Sequence, residues 1–466
     1  MFYIVEDNIR IKKWAGGKAC YTVEGKNKDF SLTPDEFDLL KKCDGITDLI
    51  PDNNLYVFEA MRVIRRCEKG EASLKPSQVK EYPNKLNCII DWTITDHCNY
   101  NCLHCFHAAD NGMQRDSFSW EEAERFIHEA AECGVSAIRL TGGEPTLYPH
   151  FRELLQEMKK LELPFMTLIT NGSRFDEDMA AFIKELYPDV QIMLSYDGIG
   201  THDWLRQHEG SEESVRKAIK TAKDFRFNVR INMNVNRRNR GVICDSVKML
   251  SDMGVDRIRI IKTTEAPRWE LNAKDDSMTI EEYYDFSAEL AEWYKNSGLT
   301  VPVTIWQSLF LKGKDKKYHI LPVKSSKCGY NGDASICSAM LRKLSVQANG
   351  DIIPCAPLGG LFTLHDIHMG NVKKDGLQKL LTEGALYDCV THTADQKRNA
   401  NPKCGSCRHF ENCQGGCPAL SFMFGGTEDA TDEYKCTFFD NGYYRRYEEA
   451  LEGWNSMIKL TEEEKT

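Results

Sequence analysis

The sequence predicts an α/β protein: a partial (β/α)6 barrel preceded by a small winged-helix domain and followed by a cysteine-rich domain. Three observations predict it. From Ile89 to about Gln307, short β-rich apolar runs alternate with helix-like stretches, the pattern of repeated βα units around a parallel sheet. Before residue 85, alternating segments and helix starts outline a separate unit. Beyond roughly Lys327, elements shorten and Cys, Gly, Pro and Asn accumulate, as in small domains held together by metal rather than by a large apolar core. The expected divisions are 1–85, 86–315, 316–440 and a closing helical segment, 441–466.

The length of 466 residues exceeds one ordinary core, and 41% apolar with 28% charged residues fits a soluble globular chain. The formal charge of -10 repels a phosphate backbone, and the basic runs are as short as Arg237-Arg238-Asn239-Arg240, so no nucleic-acid partner is expected. Met1 to Trp14 alternates apolar with charged residues, and no apolar run approaches the roughly 18 needed to span a bilayer. A cytoplasmic protein without a membrane partner is expected. In such a chain, 18 cysteines point to metal rather than to a disulfide scaffold.

Taken in order, Met1 to Trp14 and Gly17 to Glu24 read as strands, and Thr33 caps a helix that opens with Pro34. Helical stretches are expected near Ile46 and from Val57 to Cys67, and a linker from Glu68 to Lys85. The barrel strands are expected at Ile89 to Thr95, Ala137 to Leu140, Phe165 to Thr170, Gln191 to Ser195, Val229 to Val235 and Arg257 to Lys262. Chemistry belongs at their C-terminal ends. A last helix is expected from about Tyr443 to Lys459.

The first barrel strand ends in Cys98, Cys102 and Cys105, a C-x3-C-x2-C run. Three thiolates on one tight loop can each take one iron of a four-iron cluster, leaving the fourth iron open for chemistry. A zinc site completed by His104 or His107 is the alternative. The next strand runs into Gly142-Gly143-Glu144-Pro145, where two glycines allow close backbone approach to a ligand and Glu144 offers an acceptor for an amino group. In this position the turn resembles the radical S-adenosylmethionine (SAM) superfamily. Thr170-Asn171-Gly172 and Ser195-Tyr196-Asp197-Gly198, at the third and fourth strand ends, continue the resemblance. It implies that Gly142, Gly143, Glu144, Asn171 and Ser195 contact SAM and that Arg206 pairs with its carboxylate. One departure is His104, where the family usually has an aromatic residue packed on the adenine; imidazole can still stack.

Toward the C-terminus, Cys337-x12-Gly350-x4-Cys355 is followed by Cys404-x2-Cys407-x5-Cys413-x3-Cys417 and Cys436. This is similar to the seven-cysteine SPASM domain. A pair of zinc ribbons is the alternative, but seven ligands do not fill two four-coordinate sites. The resemblance implies that an eighth, Cys328, joins Cys337, Cys355 and Cys417 on one auxiliary cluster, and that Cys404, Cys407, Cys413 and Cys436 hold another. It therefore implies three 4Fe-4S clusters and SAM as cofactors. The other seven cysteines are expected to be buried structural thiols, with Cys389, inside the SPASM region, the one to watch.

Within residues 1–85, Leu32 to Gly45 resembles the elements that bind the leader of a ribosomally made precursor peptide. Together the three parts resemble peptide maturases. That implies a precursor peptide and a flavodoxin- or ferredoxin-like electron donor as partners, with the adenosyl radical taking a hydrogen from the peptide. A thioether is the expected product; carbon–carbon or carbon–oxygen cross-linking has the same electron count. Anaerobic sulfatase maturases, which oxidise a side chain, normally carry aspartate directly after the cysteine matching Cys355, where this chain has Ala356. A non-catalytic iron–sulfur sensor would need no glycine–glycine–glutamate turn.

Overall fold

The computed structural model describes residues 1–24, 29–105, 116–264, 267–324 and 330–458. At its centre lie six strands in chain order: β1 (Ile89–Thr93), β2 (Ala137–Thr141), β3 (Phe165–Thr170), β4 (Gln191–Ser195), β5 (Asn228–Val235) and β6 (Arg257–Lys262). Each pairs with the next in parallel. All six expected strands are present, their ends shifted by at most two residues.

Period-two burial shows which face meets the helices. β5 buries Val229, Ile231, Met233 and Val235 and leaves Arg230, Asn232 and Asn234 half-buried. The buried set shares a core with Val215, Ala218 and Ile219 of the helix Ser211–Asp224, so the half-buried set lines the opposite, inner face. The returning helices start where their caps dictate. Ser119 with Glu122 and Thr279 with Glu282 form capping boxes at Trp120–Glu132 and Ile280–Ser297.

The sheet does not close on itself. Beyond β6 it continues through Val303–Ile305, Leu309–Lys312 and Lys317–Ile320. On the other edge β1 pairs in parallel with Lys343–Val346, which turns back into Ile352–Ile353. The cysteine-rich region is thus built onto the barrel's first edge by main-chain hydrogen bonds.

The N-terminal unit departs from expectation in several places. Met1 to Trp14 is two strands, Phe2–Val5 and Ile9–Trp14. No helix forms near Ile46, because Asp44 closes a turn by accepting from the Ile46 and Thr47 amides at 2.8 and 2.7 Å. The stretch expected as a helix from Val57 to Cys67 is the end of the helix Asn53–Ala60 and then a strand, Ile64–Cys67, antiparallel to Phe2–Val5. The expected linker contains a strand, Val79–Tyr82, parallel to Ile9–Trp14. Its four residues, two of them charged, are too few to display alternation. Thr33 and Pro34 do open the helix Pro34–Lys41. Trp14 stacks on Tyr82 at 5.0 Å and donates its indole N–H to the Cys133 carbonyl at 3.1 Å, fastening the unit to the barrel's first helix.

The last helix stops at Ala450, and Asn455–Ser456 pairs with Lys317–Tyr318; the expected end at Lys459 lies outside the described residues. Among the described residues, no helix is long and apolar enough to cross a membrane.

Candidate cofactor site

The loop carrying Cys98, Cys102 and Cys105 leaves the C-terminal end of β1 and is clamped from two sides. The Gly143 and Glu144 amides donate to the Thr95 and His97 carbonyls at 2.7 and 2.8 Å. On the far side, the Leu103 amide donates to the Leu205 carbonyl at 2.9 Å. A Cβ on Gly142 would lie 2.4 Å from the Thr95 oxygen, and one on Gly143 2.4 Å from the His97 oxygen. The close approach that the glycines were expected to grant a ligand is taken here by the cysteine loop itself.

Glu144 is fully buried. Its Oε1 accepts from the Thr146 hydroxyl at 2.6 Å, the Thr146 amide at 3.2 Å and the Thr170 hydroxyl at 2.7 Å; Oε2 accepts from the Asn171 amide at 2.7 Å. Burial raises its pKa, and these donors offset only part of the rise. The carboxylate thus ties β2 to β3 and retains acceptor capacity on Oε2. Asn171 donates to Asn99 Oδ1 at 2.9 Å and reaches Cys98 Sγ at 3.9 Å; the Tyr100 amide lies 3.4 Å from the same sulfur.

Arg206 is not a solvated surface charge. It is buried, with Nε 2.7 Å from Asp197 Oδ2 and Nη1 3.7 Å from Cys102 Sγ. Asp197 also accepts from the Asn234 amide at 2.8 Å. Burial opposes its charge, but Arg206 and then His202 hold the carboxyl well below the usual range. Sequence reasoning missed Asp197 as a hub, although a carboxylate two residues past the end of the apolar strand Gln191–Ser195 was the available signal. His104 is buried beside this pair, and its Nδ1 has no hydrogen-bond partner. Burial, reinforced by Arg206, pushes the imidazole down to about 3, so the ring is neutral. Ser195 sits half-buried at the end of β4, in register with Asn232 of β5.

The C-terminal cysteines fall into two neighbourhoods. Cys417 lies within electrostatic reach of Cys355 and Cys337. Cys404 senses Cys413 and Cys407, and Cys436 senses Cys413. Cys328 lies outside the described residues. A half-buried cation bridges the two neighbourhoods: Lys324 donates to the carbonyls of Ile336 and Gln414, at 2.5 and 3.4 Å, each beside a cysteine of a different group. Cys389 is buried, and burial pushes its thiol up to about 12.

The sequence matches the radical SAM superfamily over residues 92–250 and the SPASM iron–sulfur cluster-binding domain over residues 337–408. Residues 92–250 thus form a radical SAM domain. The chain is a SAM-dependent redox enzyme with a SPASM extension. The mycofactocin maturase MftC of Mycobacterium tuberculosis is 26% identical over 364 residues, 77% of this chain and 85% of that one. The AdoMet-dependent heme synthase of Methanosarcina barkeri is 24% identical over 72% of this chain and 93% of its own. Among solved structures, Streptococcus suis SuiB bound to its precursor peptide SuiA superposes with a TM-score of 0.62 at 15% identity, covering 93% of this chain and 100% of that one.

The residues present fit the cofactors of a radical SAM/SPASM enzyme. No disulfide links any of the 17 described cysteines. Among the described residues no group of three or more metal-binding side chains converges on one ion position, and the thiolates of a four-iron cluster, each on its own iron, need not do so. N–H groups already aim at Cys98 and Cys102, the kind of contact that tunes a cluster's potential. The neutral His104 ring and its unpaired Nδ1 offer a surface and an edge for a heterocycle.

Proposed function

We propose that this radical SAM enzyme modifies a ribosomally made precursor peptide, joining a cysteine sulfur to a carbon of another residue. Residues 1–85 serve as a winged-helix element that binds the leader. The observation that carries the reading is the extent of the likeness to SuiB, a structure solved with its precursor peptide: what it leaves uncovered is fewer residues than the N-terminal unit holds. The likeness to anSMEcpe, a structure solved with bound AdoMet, stops at 78% of this chain.

In this reading Cys98, Cys102 and Cys105 hold the SAM-binding cluster. Cys328, Cys337, Cys355 and Cys417 hold the first auxiliary cluster, and Cys404, Cys407, Cys413 and Cys436 the second. Bound there, the cofactors supply reductive cleavage of the SAM C5′–sulfur bond, hydrogen-atom abstraction and a sink for the electron released on bond formation. The protein's part is positional. Glu144 Oε2 accepts from the SAM amino group, Arg206 and Ser195 face its carboxylate end, and His104 stacks on adenine. Ala356 supplies no carboxylate beside Cys355, which disfavours a maturase of the sulfatase type.

The test is anaerobic co-expression with a cysteine-containing precursor peptide, followed by high-resolution mass spectrometry with thiol alkylation. Loss of two hydrogens with one cysteine protected from alkylation is the expected result. The same loss with every thiol free contradicts the thioether and indicates a carbon–carbon or carbon–oxygen link.

A further inference from the structure

The inner face of the barrel is charged, and its charges are unevenly matched. On β1, Asp91 is buried, with Arg139 of β2 2.9 Å from one oxygen, as an ion pair off the hydrogen-bond axis, and Lys343 3.0 Å from the other. One carboxylate thus already serves two cations. Opposite them stands Arg259, on the half-buried, inward-facing positions of β6. Its side chain makes no hydrogen bond or ion pair among the described residues, and it lies within electrostatic range of Arg139, Cys355 and Asp91. An unpaired guanidinium facing a second one is costly to keep. Beside it in register is Asn232 of β5, whose Oδ1 is buried without a hydrogen-bond partner.

Ser195, Asn232 and Arg259 form one row across β4, β5 and β6. Arg259 therefore lies two strands, about 10 Å, from the residue expected at SAM. A group gripped by Arg259 would lie beside the cofactor, on the side nearer Cys355.

We infer that Arg259, with Arg139 facing it, forms a carboxylate-binding subsite for the substrate, taking either an acidic side chain or a C-terminal carboxylate. The planar guanidinium matches a carboxylate with two parallel N–H donors, and an entering carboxylate would offset the positive charge that Arg139 and Arg259 bring to this face. The inference rests on the reading of the inner face as the substrate's side, and it specifies what the peptide carries next to the reacting residue.

Equilibrium dialysis of three probes against the SAM-bound, cluster-loaded enzyme tests it. N-acetylglutamate amide offers a side-chain carboxylate, N-acetylglutamine an α-carboxylate, and N-acetylglutamine amide neither. At least one of the first two should bind ten-fold or more tightly than the third, and which one does identifies the carboxylate's source. Arg259→Gln should erase that difference, and Arg259→Lys should restore part of it. Equal binding of all three probes, no binding, or a difference that survives Arg259→Gln would overturn the inference and leave Arg259 as a counter-charge to the neighbouring thiolates. If Arg259→Gln does not fold, the wild-type comparison still decides. No turnover is involved, so failure here leaves peptide modification standing, and failure of peptide modification leaves this subsite standing.

Discussion

Asp197 and Arg206 form the charge pair on which the cysteine loop leans: Asp197 holds Arg206, and Arg206 faces Cys102. Replacing Asp197 by Asn leaves a buried guanidinium without its counter-charge, which costs about 3–5 kcal/mol. The expected result is a clear drop in melting temperature together with weakened SAM binding. Most of the stability loss should be recovered in Asp197→Leu/Arg206→Met, because that double variant removes both charges. Glu144→Gln replaces a carboxylate oxygen that accepts from protein donors with an amide group that donates toward them, worth about 1–3 kcal/mol. Titration of SAM into this variant should show at least ten-fold weaker binding; unchanged affinity would remove Glu144 from the account. The cysteines were legible in the sequence because cluster ligands recur at short spacing. Asp197 was not, because its partners Arg206 and Asn234 come from 9 and 37 residues further along, and Asn234 meets it only once β4 and β5 pair.

At the scale of elements, the turn after β2 and the loop after β1 share one backbone interface. Gly143→Ala would set a Cβ 2.4 Å from the His97 oxygen, and neither backbone can give way cheaply. Anaerobic reconstitution of that variant should load the SAM-binding cluster poorly, seen as loss of its electron paramagnetic resonance signal on reduction. The strand Lys317–Ile320 offers a pH test remote from the cysteines. Burial holds the His319 imidazole below its ordinary range, and its Nε2 is buried without a hydrogen-bond partner. The unfolded chain binds a proton near pH 6.5 that the folded chain refuses, so stability rises with pH and is lost as pH falls below about 6.5. His319→Gln should therefore narrow the difference in melting temperature between pH 7.5 and 5.5. The six barrel strands were readable because each combines an apolar run with a glycine or polar end. Val79–Tyr82 and Ile64–Cys67 were not, since four-residue edge strands rich in charge gain their structure from a partner, not from their own pattern.

In the whole molecule, main-chain pairing and a few anchored side chains join the N-terminal unit, the barrel and the cysteine-rich region. If the cysteines divide as proposed, wild-type protein should hold about twelve irons. Cys436→Ala should then lose one auxiliary cluster and keep the other two, whereas an equal loss across all three would contradict separate auxiliary sites. The crossing of Cys417 toward Cys337 and Cys355, past the nearer Cys413, could be inferred only from resemblance. Its physical basis is the turn through Gly415 and Gly416, both at positive φ, which reverses the chain between the two neighbourhoods.

The most direct test of the central claim, that this enzyme takes a hydrogen atom from a peptide through SAM, is the fate of a deuterium label. The precursor peptide, deuterated along its core, is incubated anaerobically with enzyme, SAM and reductant, and the 5′-deoxyadenosine formed is weighed by mass spectrometry. Deuterium is expected in the 5′-deoxyadenosine alongside modified peptide, and neither product from Cys98→Ala. Unlabelled 5′-deoxyadenosine with intact peptide, or no 5′-deoxyadenosine at all from the cluster-loaded enzyme, would contradict it.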